Sequence, residues 1–375
     1  MSAPGFTFLE FFAGGGMARL GLGRGWTCAF ANDFDSRKAA AYRANFGGDH
    51  LAEGDIWSLT PADLPGRPDL AWASSPCQDL SLAGLRGGLE AGRSSAFWGF
   101  HRLMAGLGDE GRAPPVLVIE NVGGLLSSGG GRDFTALCAA LDGLGYRFGA
   151  LEIDAAHWLP QSRPRVFVIA AQDPGGLGQA GPAAPFHGER LAAAHARLPE
   201  ALKARWVWWT LAAPPARNTR LADLLEPDPA VDWFSAARTG RLLALMAPLH
   251  RARLESAAAQ GRAVGALYRR VRVEQGCKVQ RAEVRFDGLA GCLRTPAGGS
   301  SRQVVVVADG GVVRARHLTG REGARLMGLP EDYVLPKAST AALKLLGDGV
   351  AVPVVRALAE QVLEPLLAGR RRAAA

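Results

Sequence analysis

Short apolar runs recur along the first half of the chain, and each gives way to a stretch in which apolar residues return at helical spacing. FTFLEFF ends in a glycine turn before MARLGLGRG, and TCAFAND precedes SRKAAAYRANFG, whose helix formers stop at Gly47. DLAWASS, PVLVIEN and RVFVIAA are further runs of strand length. Period and length together assign the runs to buried strands and the stretches between them to helices. Strands alternating with helices predict an α/β fold on a doubly wound sheet, with ligands held at the carboxyl ends of the strands.

The texture changes from about Asp173, where the Pro- and Gly-rich DPGGLGQAGPAAP interrupts the alternation. A mixed region with clustered tryptophans and arginines follows to about residue 300. The chain then closes with the helix-like ALKLLGDGVAVPVVRALAEQVLEPLL and a basic tail at Arg370, Arg371 and Arg372. This predicts a first domain over 1–172, a smaller second domain over 173–334, and a C-terminal helix over 335–375 that packs back on the first. At 375 residues the chain is long enough for two lobes.

Composition narrows the class. Hydrophobic residues make up 48% and charged residues 21%, as in a folded globular protein. No apolar stretch reaches the roughly 18 residues of a membrane span, so no membrane association is expected. MSAPGFTFLEFFAGGG lacks a basic start and is interrupted by Glu10, unlike a signal peptide. The five cysteines (Cys28, Cys77, Cys138, Cys277, Cys292) form no CxxC pair. That pattern predicts no metal site and no disulfide framework, and points to a reducing, cytoplasmic setting. A formal charge of +8 suits a polyanionic partner such as nucleic acid, although an Ala-, Gly- and Arg-rich composition also makes a chain basic without any such partner.

The first chemical signal is FAGGG after the first strand, a turn where backbone can approach a ligand. It departs from the dinucleotide fingerprint, because Arg19 stands where the third glycine after Gly14 and Gly16 should be. Asp33 ends the second strand 33 − 14 = 19 residues past Gly14, near the roughly 20 expected of a ribose-binding acid. A helix N-cap is the other role open to such an acid, and Asp35 could fill it instead. Phe34 could lie on an adenine face, and Asp55 in EGDIW could accept from the adenine amino group. A nucleoside-bearing cofactor without a pyrophosphate fits these residues better than NAD.

The second signal is Cys77 in ASSPCQDLSLAG. A single thiol more often fills a core than attacks a substrate, so its company has to decide. FAGGG, SSPCQDLSLAG, VIENVGGLL, QSRPRVFVIA, RHLTGREGARLMGLPEDY and LLGDGVAVPVV stand in the order found in DNA (cytosine-5) methyltransferases of prokaryotic type. The chain resembles that family over nearly its whole length, the middle of the second domain excepted. The resemblance implies a Rossmann-like, mostly parallel catalytic domain of methyltransferase type with a smaller target-recognition domain. It also implies S-adenosyl-L-methionine as cofactor and double-stranded DNA as partner. The expected reaction is methylation of cytosine at carbon 5.

The chemistry explains the residue types. Carbon 5 of cytosine is a poor nucleophile until a thiolate adds at carbon 6 and breaks the aromaticity. Cysteine suits the task because it attacks and leaves well, provided its ionisation is favoured above that of a free thiol. By resemblance Cys77 attacks, and Glu120 holds nitrogen 3 and the exocyclic amine, which requires a carboxyl made neutral by burial. Arg163 and Arg165 alternate, so on a strand they share one face, and the resemblance turns them toward the cytosine carbonyl and the catalytic loop. Taken alone, Glu120 also reads as a surface acid and the arginines as an exposed edge pair. Phe12, Ile56, Pro76, Asp348 and Val350 join Gly14, Gly16, Asp33, Phe34 and Asp55 in the implied cofactor site. Asp348 departs from the family's usual asparagine, which leaves cofactor affinity or preference open.

The target base must leave the duplex to react. CQDLSLAGLRGGLEAGR is the expected lid, with Gln78 and Ser81 facing DNA and Arg93 clasping a phosphate. Arg269, Arg270, Arg272, Lys278 and Arg281 form an expected cationic stripe, of which Arg272 and Lys278 are singled out for DNA. Gly298, Gly299, Ser300 and Arg302 belong to a small-residue loop expected to press on the duplex. Trp206, Trp208 and Trp209 read as core. A monomer, associated with the nucleoid and possibly paired with a cognate restriction endonuclease, is the expected setting. Rival readings are a tRNA cytosine-5 methyltransferase, a non-catalytic DNA-binding relative and, weakened by the missing glycine, an NAD oxidoreductase.

Overall fold

The computed structural model describes residues 5–75, 96–294 and 302–374. In chain order the first elements are β1 (Phe6–Phe11), α1 (Met17–Leu22), β2 (Trp26–Asp33), α2 (Ser36–Phe46), β3 (Leu51–Glu53) and β4 (Leu70–Ser74). Then come α3 (Ala96–Asp109), β5 (Val116–Val122), α4 (Arg132–Gly143), β6 (Arg147–Asp154) and β7 (Pro164–Ala171). β8 (Gly178–Gln179), α5 (Glu189–Ala196), α6 (Glu200–Arg205) and β9 (Trp208–Trp209) follow. The next stretch holds α7 (Ala236–Ala244), α8 (Pro248–Ala259), β10 (Ala263–Glu274), β11 (Cys277–Arg285), β12 (Val304–Asp309) and β13 (Val312–His317). The chain ends through α9 (Gly320–Leu326), α10 (Ser339–Asp348), α11 (Val352–Leu358) and α12 (Glu364–Ala374). Among the described residues no helix is long and apolar enough to cross a membrane.

Two compact units result. The first comprises 1–154, 164–213 and 350–375, and the second 155–163 and 214–349. The first contains a seven-stranded sheet in the order β3-β2-β1-β4-β5-β7-β6. Its first five strands run parallel, while β7 is antiparallel to both β5 and β6. The strands are apolar on both faces because both are covered. Leu9, Phe11, Ala71, Ile119 and Val168 join one core with Phe97, Phe100 and Leu103 of α3 and Phe134 and Leu137 of α4. Their neighbours Phe8, Trp72, Val118 and Phe167 are buried on the opposite side.

At the chain's end, α11 returns to α1. The two helices approach so closely that a Cβ on Gly21 would lie 2.3 Å from that of Val355. Residues 173–213 also belong to the first unit, although the change in sequence texture placed them in the second. The tryptophans explain this. Trp206 and Trp208 enter the α3–α4 core, and Trp209 donates to the Ile169 carbonyl at 3.1 Å. They are core residues, but of the first unit.

The second unit is built on an antiparallel sheet in the order β11-β10-β12-β13. Leu242 of α7, Met246 between the two helices and Leu254 of α8 cover one face, packing with Leu267, Val284, Val304 and Val306. Arg316, at the end of β13, pairs bidentately with Glu322 of α9 at 2.8 and 2.6 Å, both side chains being fully buried. Glu322 also accepts from the Thr319 and Glu226 amides, so this buried charge is fully engaged.

Candidate active site

The site of the first unit gathers where four parallel strands end and one antiparallel strand begins. After β1, positive φ at Phe12 (56°), Gly14 (55°) and Gly16 (72°) folds the backbone into the glycine turn. The two glycines do different work. A Cβ on Gly16 would lie 2.4 Å from the Phe46 ring, so its smallness lets α2 pack against the turn. A Cβ on Gly14 would meet nothing within 4 Å, so this side of the turn is open to a ligand.

Asp33, buried at the end of β2, ties the turn to its own strand. Its carboxylate accepts from the Gly14 amide and the Asp35 amide, both at 2.8 Å. Asp35 is the N-cap of α2, accepting from Arg37 and Lys38, so the capping role falls to it rather than to Asp33. Carboxylate oxygens have lone pairs beyond the two used here, so Asp33 can still accept from ribose hydroxyls. Phe34 stands beside it with 72% of its surface exposed, leaving its ring open to a ligand. Asp55 caps the turn Ile56–Ser58 by accepting from Trp57 at 3.0 Å, and Ile56 is buried beneath it. Val350 is buried in the first unit, whereas Asp348 is exposed at the end of α10 in the second.

Under this turn lies a carboxylate that the candidate site residues do not include. Glu10, next to the last residue of β1, is 1% exposed, and its Oε2 has no hydrogen-bond partner among the described residues. Burial pushes its carboxyl up to about 8, outweighing the attraction of Arg19. Arg19 in turn donates to Tyr42 Oη at 3.1 Å and meets His50 Nε2 at 2.5 Å. The signal in the sequence was the acid itself, standing inside an otherwise apolar strand.

Glu120 lies at the carboxyl end of β5 and is 5% exposed. Because β7 runs antiparallel, its first residues lie beside the last residues of β5, and Arg165 is in register with Val122. The Arg165 Nε reaches the Glu120 carboxylate at 3.1 Å. On the other side, Ser74 of β4 is in register with Glu120, and Asn121 donates to the Ser75 carbonyl at 3.2 Å. Asn121 therefore anchors the strand end from which the chain leaves toward Cys77, a role the motif reading missed. Cys77 lies outside the described residues, as do Pro76, Gln78, Ser81, Arg93, Gly298, Gly299 and Ser300.

Arg163 does not share a strand face with Arg165, because β7 begins only at Pro164. It is 1% exposed and belongs to the second unit. There it donates to the carbonyls of Leu293 at 3.1 Å and Gly347 at 2.8 Å, and to that of Gly349. Gln161 is likewise buried, donating to the Leu326 carbonyl at 2.6 Å and accepting from the Leu293 amide at 3.1 Å. These side chains hold the second unit's backbone.

The expected cationic stripe is a paired face. The β10–β11 register brings Glu283 and Glu274 among the arginines, so Arg272 and Arg270 meet Glu283 at 2.5 and 3.4 Å, and Arg281 pairs with Glu274. Ion pairs this exposed hold only weakly, so a phosphate can exchange for the acid. Lys278 is exposed beside the β10–β11 turn, and Arg302 donates to Ser339 Oγ at 2.9 Å.

Comparison with known proteins identifies the family. A family model described as C-5 cytosine-specific DNA methylase matches residues 6–364. The chain is 27% identical to the Type II methyltransferase M.HpaII of Haemophilus parainfluenzae, covering 96% of this chain and 90% of that one. It is 26% identical to the Type II methyltransferase M.NlaX of Neisseria lactamica, covering 97% and 98%. The crystal structure of S. pombe Dnmt2 methyltransferase shares the fold, with a TM-score of 0.58 at 17% identity over 96% of this chain and 99% of that one.

Proposed function

Since the chain belongs to the C-5 cytosine-specific DNA methylase family and is a DNA (cytosine-5) methyltransferase, we propose that Cys77 is its nucleophile and Glu120 and Arg165 its partners at the flipped-out base. The observation carrying this assignment is the buried Glu120–Arg165 pair beside the end of β4. Ser75 is held next to Glu120, and Cys77 follows two residues later, a reach of at most about 7 Å.

In this reading the Cys77 thiolate bonds to carbon 6, and the electron pair displaced into the ring is met by a proton at nitrogen 3. Glu120 supplies that proton. The Arg165 guanidinium, 3.1 Å away, holds the carboxyl in place for that transfer. Arg165 orients the carboxylate and donates to the cytosine carbonyl. Once carbon 5 carries the transferred methyl group, loss of its proton re-forms the carbon 5–carbon 6 double bond and expels the thiolate, and the nitrogen 3 proton returns to Glu120. Arg163, engaged with backbone carbonyls, is a positioning residue.

The family's reaction requires an S-adenosylmethionine-type methyl donor, and the open face of Gly14, the buried Asp33 and the exposed Phe34 ring fit its nucleoside. We take the donor to be S-adenosyl-L-methionine itself, held by Phe12, Gly14, Gly16, Asp33, Phe34, Asp55, Ile56, Pro76, Asp348 and Val350. When bound it supplies an electrophilic methyl group. Gln78, Ser81, Arg93, Arg272, Lys278, Gly298, Gly299, Ser300 and Arg302 are the proposed DNA contacts. The Type II names of the relatives support a role in protecting DNA beside a cognate restriction endonuclease, and we take the protein to act as a monomer.

The test is methylation of long random duplex DNA and of tRNA, read by bisulfite sequencing. Product on DNA that disappears in Cys77→Ala, with DNA affinity retained, is the expected result. Unchanged turnover in Cys77→Ala removes the assignment.

A further inference from the structure

Within the second unit a cavity of about 270 Å³ is lined chiefly by Phe234, Arg238, Arg241, Arg269, Val304 and His317. It is built rather than incidental. The Phe234 amide donates to the Ala315 carbonyl at 2.9 Å, fixing the ring against β13. The Arg238 guanidinium stacks 3.6 Å from the Phe234 ring centre and donates to His317 Nε2 at 3.1 Å. Because a guanidinium can only donate, Nε2 accepts, and His317 is a neutral imidazole with its proton on Nδ1.

The charge around this cavity is one-sided. Burial first, and then the positive charges of Arg302, Arg238 and Arg269, push His317 down to about 4, and no acid acts against them. Among the described residues neither Arg238 nor Arg241 has a carboxylate partner. Arg270 and Arg272, a short way along β10, have Glu283. A cavity with guanidinium groups on its walls and no counter-ion for two of them is suited to an anion, which arginine grips through charge-assisted hydrogen bonds.

Size identifies the form of that anion. Sites that engulf whole small molecules run to about 300–1,000 Å³. A cavity just below that range suits a group projecting from a polymer. We propose that this cavity receives one backbone phosphate of the duplex, clasped by Arg238 and Arg241 with Arg269 at its wall. Such a contact sets the register of the second unit on DNA without reading sequence. The inference rests on the DNA methyltransferase reading and assigns it a contact outside the family motifs.

The test is binding of labelled duplex DNA to the full chain by fluorescence anisotropy across a salt series. Arg241→Gln is the cleaner variant, since Arg241 is exposed and Arg238 also supports the Phe234–His317 pair. Loss of one phosphate contact should lower the slope of log affinity against log salt by about 0.9, and Arg241→Lys should restore most of it. A slope in Arg241→Gln equal to that of the wild type, which itself binds DNA, overturns the clasp alone. Wild-type protein that fails to bind duplex DNA overturns both this inference and the function it rests on. Binding of inorganic phosphate that Arg241→Gln abolishes, with the DNA slope unchanged, would make the cavity a free-anion site and overturn the DNA assignment.

Discussion

Glu120 and Arg165 sit on neighbouring antiparallel strands, with the arginine Nε 3.1 Å from the carboxylate and both side chains nearly buried. The pair gives each residue a distinguishable loss. Glu120→Gln keeps the shape and cannot supply a proton, so single-turnover methyl transfer should fall by about 10²–10⁴ while DNA affinity holds. Arg165→Ala leaves a buried carboxylate without its counter-ion and should also cost stability, on the order of 3 kcal/mol in urea unfolding. Full activity in Glu120→Gln would remove its role as proton donor.

Arg163 should behave differently from Arg165. Its guanidinium satisfies the Leu293, Gly347 and Gly349 carbonyls together, a fork that lysine cannot reproduce. Arg163→Lys should therefore expose residues 214–349 to limited proteolysis at denaturant concentrations where Arg165→Lys remains resistant. Equal resistance of the two variants would show that the carbonyl clamp contributes little.

Glu10 makes stability depend on pH in a direction opposite to that of an ordinary salt-bridged acid. Its carboxyl is pushed up to about 8 in the folded chain against 4.5 without burial. Between those values the folded state keeps a proton that the unfolded state has released. Stability is thus full below pH 4.5 and declines as pH rises toward 8, by at most about 1.4 kcal/mol per unit. Glu10→Gln should flatten this contribution and gain relative to wild type at pH 8. Parallel stability curves for the two proteins from pH 5 to 8 would mean that Glu10 is ionised where it lies.

The α1–α11 contact tolerates no added carbon. Gly21→Ala would force a methyl to within 2.3 Å of the Val355 Cβ and 2.9 Å of the Val352 carbonyl. Overpacking of this kind costs about 1–3 kcal/mol, read as a lower urea midpoint. Val355→Ala in the same chain should recover little, since it keeps the Cβ at 2.3 Å.

The order of the short apolar runs, the glycine turn, Asp33 at the end of its strand and the motif around Cys77 were all legible along the chain, because each depends on neighbours a few residues away. Capping is local, and so is the positive φ that the turn demands of Gly14 and Gly16, although the Phe46 ring that also excludes a side chain at Gly16 comes from α2. What meets Glu120 is not local. Arg165 reaches it only because β7 runs against β5, and strand direction is decided by how the connections pack, which no apolar period encodes. The same holds for Arg163, turned into a backbone clamp, and for Arg272, paired with an acid that the hairpin register brings beside it. It holds too for Arg238 and Arg241, one helix turn apart in a featureless stretch, which face a shared cavity with Arg269 only once α7 lies on its sheet. Residue types and their spacing specified which chemistry the chain carries; the partner of each charged group was chosen by the packing of distant strands and helices.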